Sequence, residues 1–213
     1  MMKAVIFDCW DTIFYNEAEK THHFQIFAER IGRSFQDYEF LKVFEKHFML
    51  EKHYKLETPI KDLLIELNIK NSKELIIELR SILEEGLNSP KSSSKTLKVL
   101  NELKKKYKLG LITNTFYQSF ERLEKKFKIN EIFDVILKSY ETKTLKPDPK
   151  VFELMIKKLK VDKDEVLMIG DSLKDDIEAA ENIGIKGILI DRKGKHLDYP
   201  SRITSLDQLK EFL

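Results

Sequence analysis

Ala4-Val5-Ile6-Phe7-Asp8-Cys9-Trp10-Asp11-Thr12 is an apolar run that stops abruptly at a carboxylate, with a second acid and a hydroxyl close behind. Short, unalternating and rich in β-formers, Lys3 to Phe7 reads as a strand buried on both faces of a parallel sheet. Asp8 then falls at the C-terminal end of that strand, where open α/β sheets place their ligands. A carboxylate there can attack phosphorus and form an acyl phosphate that water later hydrolyses. Taken alone, such an Asp is more often a turn-former, so the weight rests on its company elsewhere in the chain.

Three later segments repeat the pattern of polar groups at strand ends. Ile112-Thr113-Asn114 closes an apolar run, and Lys146-Pro147-Asp148-Pro149 precedes a helical stretch. Gly170-Asp171-Ser172 comes directly after Val166-Leu167-Met168-Ile169, with Asp175 and Asp176 about one turn further on. Neighbouring strands lie roughly 5 Å apart, so Asp8 and the acids of this last loop can share a hard cation. Mg²⁺ suits such a set, since it takes few carboxylates and completes its shell with water and phosphate oxygens. Thr113 can donate its hydroxyl to a phosphate oxygen with Asn114 assisting, and a positioned Lys146 can offset the negative charge that gathers there.

Between about Glu17 and Leu87 the periodicity is helical. Stripes at Phe24/Phe27/Ala28/Ile31, Phe40/Val43/Phe44/Phe48, Leu63/Leu64/Leu67 and Leu75/Ile76/Leu79/Ile82/Leu83 predict four helices. Gly32, Thr58-Pro59 and Asn71-Ser72 are the expected breaks, and Asn88 to Ser94 the expected linker. Beyond it, strands are expected at 109–113, 134–137, 166–169 and 187–190. Helices are expected at 94–107, 118–127, 149–159, 174–183 and 206–213. This alternation predicts a Rossmann-like α/β core with a parallel sheet. The core takes residues 1–15 and 89–213, and a helical bundle at 16–88 is inserted after the first strand.

The bulk properties exclude other classes. Lys and Arg number 38 against 36 Asp and Glu, a formal charge of +2, which gives no reason to expect a nucleic-acid or membrane partner. No apolar run approaches the roughly 18 residues of a membrane span, and the start reads as a strand rather than a secretory leader. A single cysteine forbids an internal disulfide and fits a reducing cytoplasm. Cys9 reads as packing. His22, His23, His47 and His53 fall on separate helical positions and do not form a metal cluster. Phe14 and Tyr15 are expected near the mouth of the site.

In identity, order and placement the four segments resemble the haloacid dehalogenase-like hydrolase superfamily, with the helical insertion resembling its C1 cap. The resemblance implies Asp8 as nucleophile, Thr113 as phosphate-binding hydroxyl, Lys146 as the motif lysine, and Asp171 with Asp176 as metal anchors. Asp176 fits the family spacing better than Asp175. It also implies a metal-binding backbone carbonyl at Trp10, where the phosphatase form of the motif carries the acid–base Asp. Trp10 thus removes the usual general acid and lies where substrate would contact it. Asp11 is one place out of register and is the uncertain replacement. The superfamily's 2-haloacid dehalogenases carry an apolar or aromatic residue at this position, yet they replace the acid found here as Asp171. They also hold the substrate carboxylate with a cap Arg, where this chain offers Lys42, with Arg30 and Arg33 out of position. The expectation is a Mg²⁺-dependent phosphatase of a small molecule. A 2-haloacid dehalogenase is the alternative, followed by a phosphonate hydrolase or a weakly active binding protein.

Overall fold

The computed structural model describes residues 1–16, 20–87 and 90–213. The side chains of 16 and 20–22 lie outside the description, and His22 with them. Strand β1 (Ala4–Asp8) is wholly buried and leads to β2 (Tyr15–Asn16). Four helices come next: α1 (Lys20–Arg30), α2 (Tyr38–Met49), α3 (Glu57–Glu66) and α4 (Lys73–Leu87). The chain returns through β3 (Pro90–Lys91) and α5 (Ser94–Lys104) to β4 (Lys108–Thr113) and α6 (Tyr117–Phe127). Then come α7 (Ile129–Ile132), β5 (Val135–Lys138), α8 (Ser139–Thr142) and α9 (Pro149–Leu159). Strands β6 (Val166–Gly170), β7 (Lys186–Ile190) and β8 (Arg202–Ile203) complete the main sheet.

That sheet has the order β5-β4-β1-β6-β7-β8, and every pairing in it is parallel. The chain builds outward from β1 to β4 and β5, then resumes on the other side of β1 with β6. The C-terminal end of β1 is therefore the point where strand order reverses, which is where open α/β sheets open a crevice. Alternation along β1 serves two layers. Val5 and Phe7 pack with Leu100, Phe120 and Leu123 on one face, and Ala4 and Ile6 with Phe152, Met155 and Leu159 on the other. Helices cover both sides, as an all-parallel sheet requires.

The helices α1–α4 bury their own apolar cluster, built on Phe27, Phe40, Phe44 and Phe48. One member, Phe116, comes from the loop after β4 and sits 6.0 Å from Phe48, tying this cluster to the sheet. No helix among the described residues is long and apolar enough to cross a membrane.

Several sequence expectations need correction. Pro59 does not break the chain but occupies the first turn of α3, where a proline costs no intrahelical hydrogen bond. Within the expected linker, 88 and 89 lie outside the described residues, while Pro90–Lys91 pairs antiparallel with Tyr15–Asn16 and Ser93 caps α5. This two-stranded strap closes the base of the helical segment. Phe14 is fully buried, 4.9 Å from Phe127, and not at a mouth; Tyr15 is exposed. The closing segment is a 3-10 helix over Leu206–Glu211. Its buried residues, Leu206 and Leu209, are three apart, which suits three residues per turn.

Candidate active site

Four loops converge on the end of β1. In the first, the backbone turns tightly after Asp8: the N–H groups of Ile13 and Phe14 both donate to the Cys9 carbonyl, and Asp11 N–H donates to Phe14 O at 2.7 Å. Asp11 holds φ +58° in this turn, a left-handed conformation that Gly, Asn and Asp reach at least cost. The residue type at 11 thus has a backbone reason. Cys9 is buried as packing.

Lys146, on the loop before α9, is the centre of the site. Its Nζ lies 2.5 Å from Asp8 Oδ1 and 2.5 Å from Asp176 Oδ1, and all three side chains are buried. Burial alone would lower the lysine pKa, but the charges of Asp176 and Asp8 outweigh it and raise it, so the ammonium persists. Asn114 holds the lysine in place. Its Oδ1 accepts from Lys146 N–H at 2.9 Å, and its Nδ2 donates to Lys146 O at 3.0 Å. The sequence suggests Asn114 as a substrate contact beside Thr113; in the structure its side chain is committed to this clamp.

Asp171 lies just past β6, and its carboxylate can approach those of Asp8 and Asp176 so that all three ligand oxygens lie within 4.8 Å of one another. Asp175 turns aside: its Oδ2 accepts from Ser172 Oγ. The turn that separates the two acids is a π-helical one, Leu173–Glu178, where an unbroken α-helix is expected from sequence. The Ile177 N–H reaches back five residues to Ser172 O, and Ser172 N–H donates to Asp176 Oδ2 at 3.1 Å. One-turn π bulges of this kind cluster at functional sites because they re-aim a side chain. Gly170 makes room for it, since a Cβ there would collide with the Asp176 carboxylate and its Cβ.

Thr113 ends β4 with its Oγ1 buried and without a hydrogen-bond partner among the described residues. A buried hydroxyl left unpaired is costly, and an oxyanion against it would supply the missing partner. Trp10 is half-buried, and its Nε1 donates to Thr115 Oγ1 at 3.3 Å. Trp10 and Asp11 face different spaces. Trp10 lines a cavity of about 190 Å³ beneath the helices, whereas Asp11 lines a broad cleft of about 1240 Å³ shared with Asp171 and Arg192.

Two further residues contribute, to which the sequence motifs assign no role. Thr12, fully buried, donates from Oγ1 to Asp171 Oδ1 at 3.4 Å, and its place four residues after Asp8 is a signal that could have singled it out. Arg192, just past β7, donates to the carbonyls of Asp11 and Thr12 and so pins the loop. Nothing local in the sequence marks Arg192, because the contact spans the whole fold.

The donor set fits a hard divalent cation. Asp171 keeps an exposed face on the cleft, yet desolvation of its carboxylate against the site, then the charges of Asp8 and Asp176, push it up to about 7. Asp176 is pushed up to about 6, again by burial first, with Lys146 opposing and Asp8 adding. Both values exceed the unfolded-chain value of about 3.9, so these groups cost stability once pH rises past it, increasingly up to about pH 7. A bound cation would offset that cost. The melting-temperature gain on adding Mg²⁺ is therefore expected to be larger at about pH 8 than at about pH 5.5, as read by thermal unfolding. An equal gain at both would contradict a cation held by these carboxylates.

Residues 5–190 match the family model for haloacid dehalogenase-like hydrolases. Pyrophosphatase PpaX of Listeria welshimeri is 31% identical over 117 residues, covering 55% of this chain and 48% of that protein. Glyceraldehyde 3-phosphate phosphatase of Pyrococcus abyssi is 36% identical over 86 residues, 38% of this chain and 34% of that protein. The chain thus spans half or less of these curated relatives. A solved 2-haloacid dehalogenase from Pseudomonas syringae pv. Tomato superposes with a TM-score of 0.68 at 22% identity, covering 99% of this chain and 97% of that one, a likeness of fold.

Proposed function

The chain belongs to the haloacid dehalogenase-like hydrolases, and we propose that it is a Mg²⁺-dependent phosphatase of a small phosphorylated metabolite that works through an aspartyl-phosphate on Asp8. The observation that carries this reading is the buried Asp8–Lys146–Asp176 contact with Asp171 within cation-sharing distance. In this reading Asp8 attacks phosphorus while Lys146 holds its Oδ1 and offsets the charge of the incoming phosphoryl group. Thr113 donates its hydroxyl to a phosphoryl oxygen, and Asn114 keeps Lys146 in register. Mg²⁺ would be held by Asp8, Asp171 and Asp176 with the Trp10 carbonyl, and would supply the charge that lets a phosphate dianion approach carboxylates. Helices α1–α4, within 16–88, act as the cap, and the single buried Cys9 agrees with a reducing cytoplasm.

Trp10 favours a second reading, dehalogenation, because halide departs without a proton. The surroundings do not support it. A halo-acid needs a cation for its carboxylate, but Lys42 is exposed on α2 and does not line the cavity beside Trp10, while Arg30 pairs with Glu78 and Arg33 with Asp37 and Glu39. The cavity beside Trp10 is lined by no Lys or Arg among the described residues. Phosphate release from p-nitrophenyl phosphate and a panel of phosphomonoesters is expected with Mg²⁺ and not with a chelator. Metal-independent halide release from 2-chloropropionate, with no phosphate released from the panel, would overturn the assignment.

Asp11 lines the broad cleft it shares with Asp171, outside the cavity beside Trp10, and takes no part as general acid in this reading. Asp11→Asn is expected to leave kcat within about threefold, since Asn also tolerates the left-handed backbone. A loss of about a hundredfold, the scale of a missing general acid, would return that role to Asp11.

A further inference from the structure

The cavity beside Trp10 has a definite chemistry. Its walls include Trp10, Phe24, Met49 and Phe116 with the polar His23 and Ser119, and among the described residues no Asp, Glu, Lys or Arg lines it. Asn114, Thr115 and Phe116, which come directly after Thr113, form one side of it. Asp8, Thr113 and Lys146 do not themselves line the cavity, but the nearby chain positions Trp10 and Asn114 do, which sets it beside the place a phosphoryl group would take. At about 190 Å³ the cavity falls below the usual range of roughly 300–1,000 Å³ for ligand sites. It is close to the roughly 150 Å³ apolar cavity that takes a benzene ring. A sugar or nucleoside would exceed it in size.

A second observation concerns the leaving oxygen. The residue two places beyond Asp8 is Trp10, so the oxygen leaving phosphorus departs without a proton from that position. A phenolic oxygen, of pKa about 10, can leave as its anion far more readily than an alkoxide. Size, apolarity and the missing acid converge on one kind of substrate.

We propose that this cavity seats the leaving group of an aryl phosphate monoester, a phosphorylated phenol of a single ring. The proposal deepens the phosphatase reading and rests on it. In the first step the bond from Asp8 to phosphorus forms, the bond from phosphorus to the aryl oxygen breaks, and the aryloxide leaves and takes its proton from water. In the second step water attacks phosphorus, releasing inorganic phosphate and restoring the Asp8 carboxylate.

Trp10 is the single tryptophan of the chain, so its emission reports on the cavity directly. In the full chain with Mg²⁺, phenylphosphonate is expected to change Trp10 fluorescence saturably, and methylphosphonate to bind without that change. Phenyl phosphate is expected to exceed glycerol phosphate in kcat/KM by about a hundredfold. Met49→Ala, which widens the cavity, is expected to raise the ratio of 2-naphthyl to phenyl phosphate turnover by about tenfold, chiefly through KM. Glycerol phosphate turned over as well as phenyl phosphate, or an unchanged naphthyl ratio, would overturn the proposal. Acetyl phosphate, which carries a good leaving group and no ring, separates the two claims. If it is cleaved while the aryl preference is absent, the phosphatase reading stands and the cavity assignment falls; if no phosphate in the set is cleaved, both fall.

Discussion

Asp8→Asn is expected to lower turnover of any accepted phosphate ester by at least about ten-thousandfold, the scale of losing a covalent nucleophile. The amide keeps nearly the same shape at the end of β1 and can still accept a hydrogen bond from Lys146 with its oxygen. The fold should therefore persist, and circular dichroism with thermal unfolding would confirm that it does. What disappears is the negative oxygen that attacks phosphorus. The variant should also bind Mg²⁺ more weakly, because one of the three carboxylates within 4.8 Å is neutralised. Steady-state phosphate release measures the first effect and Mg²⁺-dependent melting the second. Retained turnover would mean that Asp8 is a strand-end residue and not the nucleophile.

Lys146→Met is expected to damage both stability and activity. Methionine matches the length of the lysine stem but leaves Asp8 and Asp176 facing one another without the intervening ammonium. The three side chains are 5%, 9% and 1% exposed, so the loss falls on buried charge. Breaking one side of a buried ion pair costs about 3–5 kcal/mol, which corresponds to a melting-temperature loss of roughly 6–20 °C for a chain of this size. The loss should shrink as pH falls, because protonating Asp176, which burial pushes up, removes the repulsion, and Mg²⁺ should restore part of it at neutral pH. Turnover should stay low under all these conditions, since a restored fold does not restore the charge opposite the phosphoryl group. A variant that melts like the parent in the absence of Mg²⁺ would show that the lysine is not needed to hold the carboxylates.

The central framework is legible in the sequence because each of its strands is short, apolar and closed by a polar residue. Asp8, Thr113 and Asp171 can be placed at strand ends from that pattern, and the parallel pairing of β1 with β4 and β6 then brings them together. Asp176 is harder. An unbroken helix from 174 leaves Asp175 and Asp176 as neighbours on the same turn, and it is the π turn, accommodated by Gly170, that sends one inward and the other toward Ser172. Helix periodicity carries no such information. Asn114 reads as a loop-starting residue beside Thr113, yet its partner is the backbone of Lys146, thirty-two positions away. Arg192 is invisible for the same reason, since its partners are the carbonyls of Asp11 and Thr12 at the other end of the chain. The four helices α1–α4 are legible from their phenylalanine and leucine stripes. That Phe116 of the core completes their cluster is not, because Phe116 lies in a loop with no periodicity to read.

The residue that most alters the chemistry, Trp10, is visible in the sequence as a departure, but its consequence depends on space. The structure sets Trp10 against a small, mainly apolar cavity and Asp11 against a broad cleft, so adjacent residues serve different surroundings. In the proposed reading the chain holds the groups that stabilise a phosphoryl group and places an indole where a proton donor is expected. Its hydrolysis should accordingly slow steeply as the leaving group becomes more basic.

The covalent step itself can be observed. Enzyme mixed with Mg²⁺ and p-nitrophenyl phosphate, quenched in acid during turnover and digested, should yield the peptide spanning Asp8 with a phosphoryl group on that aspartate by mass spectrometry. The Asp8→Asn variant should yield none. Phosphate released at full rate with no phosphoryl group on Asp8, or with the group on another residue, would contradict the account.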